Sequence, residues 1–375
     1  MRPKPTGAVP ADQPKRASPL AATARDTGPS RRQVIGGLVP LAAAGLLPTS
    51  VFVAPTVRAA RDDVGIAMPS MLEAARAFLA SLDEPGRTAA LVPFTSQRRA
   101  RWNYMLGSAF APGLPLERMT AEQKNLAMTL LASGLSPAGL VTAERIMLQQ
   151  DILRDELRKG SADRNRERFS VTVFGEPNES GPWSWRFEGH HLTLTFTLIG
   201  DRVVSTSPSA FASEPNTVSS GPHTGLVVLT VEERVGRQLF RDLAPAARRK
   251  ALVSERSFGN VITLAGRETT LDGARAGIPL SDLTSAQVDL ALELVHAQAV
   301  DNFAEPLAAE QRSRISRSDL MGATFAWAGA NLDGSIYYRL HGDTFLVEFA
   351  TLANQPQHHH TVRHDVGRHL GLHAI

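Results

Sequence analysis

The chain has 375 residues, with 40 Lys and Arg against 37 Asp and Glu, 11 His and no Cys. The missing cysteine excludes disulfides, thiolate metal sites, cysteine-held iron–sulfur clusters and cysteine nucleophiles. Positions 1–60 hold 8 basic and 2 acidic residues, which leaves 32 against 35 in the rest, so the remainder lacks the basic excess of a nucleic-acid binder.

Met1 to Pro29 is polar, proline-rich and aperiodic, the composition of an unstructured extension. Ser30-Arg31-Arg32-Gln33-Val34-Ile35 then sets two arginines before an uncharged apolar run, Val34 to Leu47. A spanning helix needs ~20 apolar residues, so this shorter run suits the apolar part of a cleavable signal. Small residues at Val57-Arg58-Ala59-Ala60 place cleavage after Ala59 or Ala60. The expected organisation is a twin-arginine signal segment over 1–60 and a single globular domain over 61–375. The expected partner is the twin-arginine export machinery, the address periplasmic or secreted, and the mature part free of a membrane span. That route carries folded proteins and so favours a bound metal or cofactor.

The mature part opens helical. Ser70 caps a segment through Met71, Leu72, Ala75, Phe78, Leu79 and Leu82. Thr120-Ala121-Glu122-Gln123 is a capping box for a helix ending near Gly134, and Ser136-Pro137 opens another toward Leu157, closed at Lys159-Gly160. From Arg168 the period becomes two: Phe169, Val171 and Val173, then Trp183, Trp185 and Phe187, then Leu192, Leu194, Phe196 and Leu198. The apolar parity switches after Gly189, which reads as a bulge at Gly189-His190-His191. Leu226 to Thr230 reads as a strand, followed by a helix toward Leu243 stopped by Pro245. A longer helix lies within Ala276 to Asn302, with Leu283 among its apolar residues. Phe325-Ala326-Trp327, Ile336 to Leu340 and Phe345 to Phe349 close the chain as hairpins. The fold class is α+β, a helical N-terminal part packed on mostly antiparallel sheet. No internal repeat is evident on this reading, and Trp183, Trp185 and Trp327 are assigned to the core.

Phe174-Gly175-Glu176-Pro177, the run Trp183 to His191, Phe325-Ala326-Trp327-Ala328-Gly329 and Tyr337 to Gly342 resemble domain-of-unknown-function family 3500. The resemblance spans essentially the whole mature chain, including Leu135 to Gly139. It implies a closing pattern of a histidine-x-histidine strand, an arginine, an aspartate–aromatic–glycine step and a terminal histidine. Here these are His358-His359-His360, Arg363, Asp365-Val366-Gly367 and His373, with Val366 in place of the aromatic and His369 in place of an acid.

Eight of the histidines fall in two segments, His190-His191 and His358 to His373. On a strand His358 and His360 share a side, so with His190 and His191 they form a candidate site for a divalent metal: zinc, copper or iron. Glu188 is the candidate acid/base, and Arg339 and Arg363 the candidates to hold an anionic group of a small-molecule substrate. Glu188 has a second reading, as an ion-pair partner of Arg186 or Arg339. The leading function is a metal-dependent enzyme, hydrolysis first, with copper or iron redox chemistry beside it. The other class is a non-catalytic binder of metal or small ligand in the cell envelope. No G-x-S-x-G elbow, H-E-x-x-H helix, P-loop or dinucleotide glycine fingerprint is present.

Overall fold

A computed structural model describes residues 68–105, 113–159, 163–264 and 275–374. The arginine pair, the apolar run, the cleavage positions and Gly160 lie outside the described residues, as does the side chain of His373.

Local capping sets the first helices. Ser70 and Glu73 exchange side-chain and backbone hydrogen bonds at the start of α1 (Met71–Ala80). Asp83 caps α2 (Glu84–Ala90), which runs into β1 (Leu91–Val92). After β2 (Leu114–Pro115), Thr120 and Gln123 close the box that starts α3 (Ala121–Gly134). Ser136 caps α4 (Pro137–Asp151), with Pro137 at the first position, where its missing N–H leaves no bond unmade. Past Asp151 the chain widens into a π turn, Ile152–Glu156, so α4 does not continue regularly to Leu157.

The sheet begins with β3 (Ser170–Phe174), β4 (Pro182–Gly189), β5 (Leu192–Ile199), β6 (Arg202–Ser205) and β7 (Ser209–Ser213). The expected bulge is not there. Gly189 pairs with Leu192, Phe187 with Leu194 and Trp185 with Phe196, so His190-His191 is the two-residue turn of a hairpin. Across such a turn odd positions face even ones, and that produces the parity switch without an extra residue.

The second half contains α5 (Glu232–Asp242), α6 (Pro245–Ala251), β8 (Leu252–Ser254) and β9 (Ile278–Pro279). Then come α7 (Ser285–Ala299), α8 (Leu307–Arg314) and α9 (Arg317–Met321). The last strands are β10 (Thr324–Ala328), β11 (Tyr337–His341), β12 (Phe345–Leu352) and β13 (Gln355–Asp365). Pro245 therefore opens a helix as well as ending a stretch, and Leu283 precedes the Thr284 cap of α7 instead of lying in it. Leu226 to Thr230 is not a strand; it makes one bridge, Thr217 to Val227. The Asn216 side chain satisfies both backbone groups of Leu229, at 2.8 and 2.9 Å, and takes the place of a strand partner.

The halves are two copies of one plan, contrary to the expectation of no repeat. The sheet order is β1-β3-β4-β5-β7-β13-β12-β11-β10-β8, a palindrome about the antiparallel β7–β13 pair. Registers correspond. Leu91 faces Val173 as Leu252 faces Trp327, and Leu114 faces Val171 as Ile278 faces Phe325. Gly113-Leu114-Pro115-Leu116 before the Thr120–Gln123 box echoes Gly277-Ile278-Pro279-Leu280 before the Thr284–Gln287 box. A Cβ on Gly113 would lie 2.2 Å from Val171 O, and one on Gly277 2.1 Å from Phe325 O, so both copies need glycine for the same close approach.

One face of the sheet meets the helices. Trp183, Trp185, Phe187, Leu194 and Phe196 pack with α1, α3 and α4, while Phe325, Trp327, Tyr338 and Phe349 pack with α5 and α7. The three assigned tryptophans are fully buried there; burying a large apolar side chain stabilises by about 1.5–3 kcal/mol. The opposite face carries Arg186, Glu188, Glu348, His360 and His364, roofed by segments 98–105 and 257–264. Arg186 donates to Arg98 O at 3.3 Å and to Arg99 O, and Glu188 accepts Asn103 N–H at 3.3 Å. Glu348 accepts Ile262 N–H (3.3 Å), Thr263 N–H (2.9 Å), the Thr263 hydroxyl and the Tyr337 hydroxyl (2.5 Å). These donors offset the cost of burying its charge.

Candidate metal centre

The β4–β5 turn and the first residues of β13 meet at one end of the polar face. His191 takes the second turn position with φ at +73°, an uncommon conformation for a residue with a side chain. Its backbone is tied on both sides: N–H to Tyr104 O at 2.8 Å, and O to Ala212 N–H at 2.8 Å. Its Nε2 lies 3.0 Å from His358 Nε2, which lies 3.1 Å from His360 Nε2. His191 and His360 are each 1% exposed and the His358 side chain 11% exposed, so the group is buried with one member at the rim.

Hydrogen bonds fix which nitrogens carry protons. Asn260 Oδ1 accepts Val261 N–H, so it is an acceptor, and it lies 2.8 Å from His360 Nδ1. His360 therefore holds its proton on Nδ1 and turns the Nε2 lone pair inward. His358 Nδ1 faces two acceptors, Gln355 Oε1 at 2.9 Å and Glu214 Oε2 at 3.7 Å, and does the same. Two lone pairs thus face one another at 3.1 Å. A proton on His191 Nε2 serves the contact with His358, and no neutral arrangement serves both contacts. Burial holds the His191 and His360 imidazoles well below their ordinary pKa, and each is further depressed by neighbouring imidazoles. His358 is lowered by burial with Glu214 opposing. Protonation is disfavoured, and the three inward nitrogens can hold a metal ion.

The other sequence candidates are placed elsewhere. His190 stacks on His191 with centroids 3.7 Å apart, but its Nδ1 is taken by Gln150 Oε1 at 2.7 Å and approached by Arg164 at 3.3 Å. It lies beside the group, not in it. Glu188 is 1% exposed and meets Arg186 at 3.8 Å and Asn103 N–H. Among the described residues its Oε1 is buried without a partner, and burial pushes its carboxyl up to about 7, against the pull of Arg186. Arg363 projects to the helix face, where it binds Thr206 Oγ1 at 2.6 Å, Gln311 Oε1 at 2.8 Å and Asp365 at 3.5 Å, far too enclosed to clamp a substrate. Arg339 sits opposite Glu348 in register, half-buried, its Nε without a partner among the described residues.

Sequence reasoning missed the groups that orient the imidazoles: Asn260, Gln355, Glu214, Gln150 and Tyr104. Tyr104 packs edge-on against His360 at 5.1 Å, its hydroxyl buried and without a partner among the described residues. Gln355, three residues before His358, was the one local signal; the rest come from distant loops.

The fold and the group together define an α+β protein of two repeats with a buried three-histidine centre at their seam. The chain belongs to the family described as protein of unknown function, DUF3500, whose pattern matches residues 65–369. Searches of curated proteins and of solved structures give no match. Among the described residues no helix is long and apolar enough to cross a membrane.

Proposed function

We propose that His191, His358 and His360 bind a divalent transition metal and that the protein is a metal-dependent enzyme, with hydrolysis its reaction class. The observation that carries this reading is the pair of inward lone pairs at 3.1 Å, held by Asn260 and by Gln355 with Glu214. An imidazole-only donor set suits zinc, copper or iron and not calcium or magnesium. Three protein ligands leave coordination positions open, the pattern of catalytic more than structural sites. A bound cation there supplies Lewis acidity.

The chain's own groups do the positioning. Asn260 and Gln355 hold the tautomers, Glu214 supports His358, and Gln150 steadies His190 against His191. Glu188 holds the Asn103 backbone, and with it the strap that seats Tyr104 on His360. Its unpartnered oxygen and near-neutral pKa also leave it able to exchange a proton, and Glu188→Gln separates the roles: a proton-transfer group loses turnover with the metal retained, a strap holder does not. The sequence pair Arg31-Arg32 before the apolar run supports twin-arginine export to a periplasmic or secreted location.

The test is elemental analysis of the purified protein beside His358→Ala, followed by hydrolytic assays on ester, amide and phosphoester panels. Stoichiometric metal lost in the variant supports the centre. Absence of metal, and failure to take up Zn²⁺ or Co²⁺, refutes it. Metal without turnover on any substrate points to the binding protein instead.

A further inference from the structure

A second histidine pair lies four residues along β13 from the first centre. His364 shares the polar face with His360, and both are built in the same way. The loop 257–264 holds one ring nitrogen of each: Asn260 on His360 Nδ1, and Thr263 on His364 Nε2, through O at 3.1 Å and Oγ1 at 2.9 Å. The strap 102–104 covers each ring with an aromatic: Tyr104 on His360 at 5.1 Å, Trp102 on His364 at 5.8 Å. The remaining nitrogen of each faces another histidine: His360 Nε2 to His358, and His364 Nδ1 to His369 Nδ1 at 3.3 Å.

The proton count at the second pair follows from its partners. Thr263 O only accepts, and the hydrogen of Thr263 Oγ1 is given to Glu348. His364 Nε2 is therefore the donor, and its Nδ1 lone pair points at His369. Ser207 Oγ lies 3.1 Å from the same His369 Nδ1 and already accepts Asp365 N–H at 2.9 Å. The serine hydroxyl and His364 Nδ1 thus converge on one atom. With the His369 proton on Nε2, which has no partner among the described residues, its Nδ1 lone pair faces that of His364 and a lone pair of Ser207 Oγ. A cation between the two Nδ1 atoms and Ser207 Oγ accepts all three lone pairs. A separation of 3.3 Å fits two nitrogens each ~2.0–2.1 Å from one ion.

We infer that His364 and His369, with the Ser207 hydroxyl, form a second transition-metal site, distinct from the three-histidine centre and weaker, because it offers fewer imidazoles. It takes the same class of borderline-soft divalent cation. The strand places the two sites ~13 Å apart along β13, from a rise of about 3.3 Å per residue, so each is titrated separately.

The experiment counts Co²⁺ bound by the full chain after dialysis, by elemental analysis and by visible absorption. Variants are His358→Ala for the first centre, and His369→Ala and His364→Gln for the second. His364→Gln keeps a donor toward Thr263 and removes the ligating nitrogen. The expected result is two ions in the wild type, one in each single-site variant, and the variants of the second site losing about half the absorption. One wild-type ion, lost in His358→Ala and kept in both second-site variants, overturns the second site and leaves the first. One ion lost only in the second-site variants upholds this inference and overturns the proposed centre instead. No bound ion overturns both. If either second-site variant misfolds by circular dichroism, the other and the wild-type count decide.

Discussion

Burying Glu188 should make the protein lose stability as pH rises through neutrality. Burial raises its carboxyl from 4.5 to about 7. Below pH 4.5 the folded and unfolded chains both carry this proton. Between 4.5 and about 7 the folded chain keeps a proton that the unfolded chain has released, so unfolding is increasingly favoured as pH rises. The contribution is fully present below the unfolded value and gone above the folded one. At ~1.4 kcal/mol per pH unit the loss across that window is about 3 kcal/mol. Glu188→Gln cannot ionise, and its side-chain oxygen still accepts Asn103 N–H, so the variant should lack this fall. Urea unfolding of both proteins at pH 4.5, 6 and 8, with chelator present to keep metal out, measures the difference. The histidine titrations are common to both proteins and cancel. The stability of the variant relative to wild type should rise by about 3 kcal/mol from pH 4.5 to 8. Parallel profiles would refute the reasoning, because they would mean that Glu188 ionises in the folded state as readily as in the unfolded one.

Other perturbations test other parts of the account. Asn260→Ala frees the His360 tautomer and should weaken metal binding ~10–100-fold by titration calorimetry; unchanged affinity would contradict the lone-pair argument. Arg363→Met leaves the Asp365 charge with less compensation and should cost about 3–5 kcal/mol in chemical denaturation, whereas a substrate clamp would alter KM and leave folding intact. Replacing Arg31 and Arg32 by lysine should keep the protein in the cytoplasm on cell fractionation, and undiminished export would sink the twin-arginine reading.

Much of the fold was legible because it is set locally. The Ser70, Thr120 and Ser136 caps and the alternation of Trp183, Trp185 and Phe187 each act within a few residues, and the helices and strands follow from them. The hairpin at His190-His191 was misread because a parity switch has two causes, a bulge or an even-length turn, and only cross-strand pairing distinguishes them. The repeat escaped notice because the copies share registers and caps more than residues: Trp185-Arg186-Phe187-Glu188-Gly189 stands where the second half has Tyr338-Arg339-Leu340-His341-Gly342. For the site, clustering of histidines drew attention to both segments, and strand alternation put His358 and His360 on one side. Nothing local could tell that His190 would turn to Gln150, or that Asn260 would reach His360 from a loop 100 positions away in the chain.

The palindromic sheet gives the histidine group a mechanical meaning. His191 belongs to the first copy and His358 and His360 to the second, so an ion at that corner bridges the seam along which β7 and β13 meet. The equivalent turn has Thr344, tied to Val366 N–H as His191 is tied to Ala212, in place of the imidazole. In a chain without cysteine, coordinate bonds at the His191 corner would do what a cross-link does, adding to the β7–β13 strand pair and the Leu135–Phe303 bridge that already join the halves. Any affinity for metal would then be paid out as resistance of the two halves to parting. Removing the ion would loosen the seam before it loosened either copy.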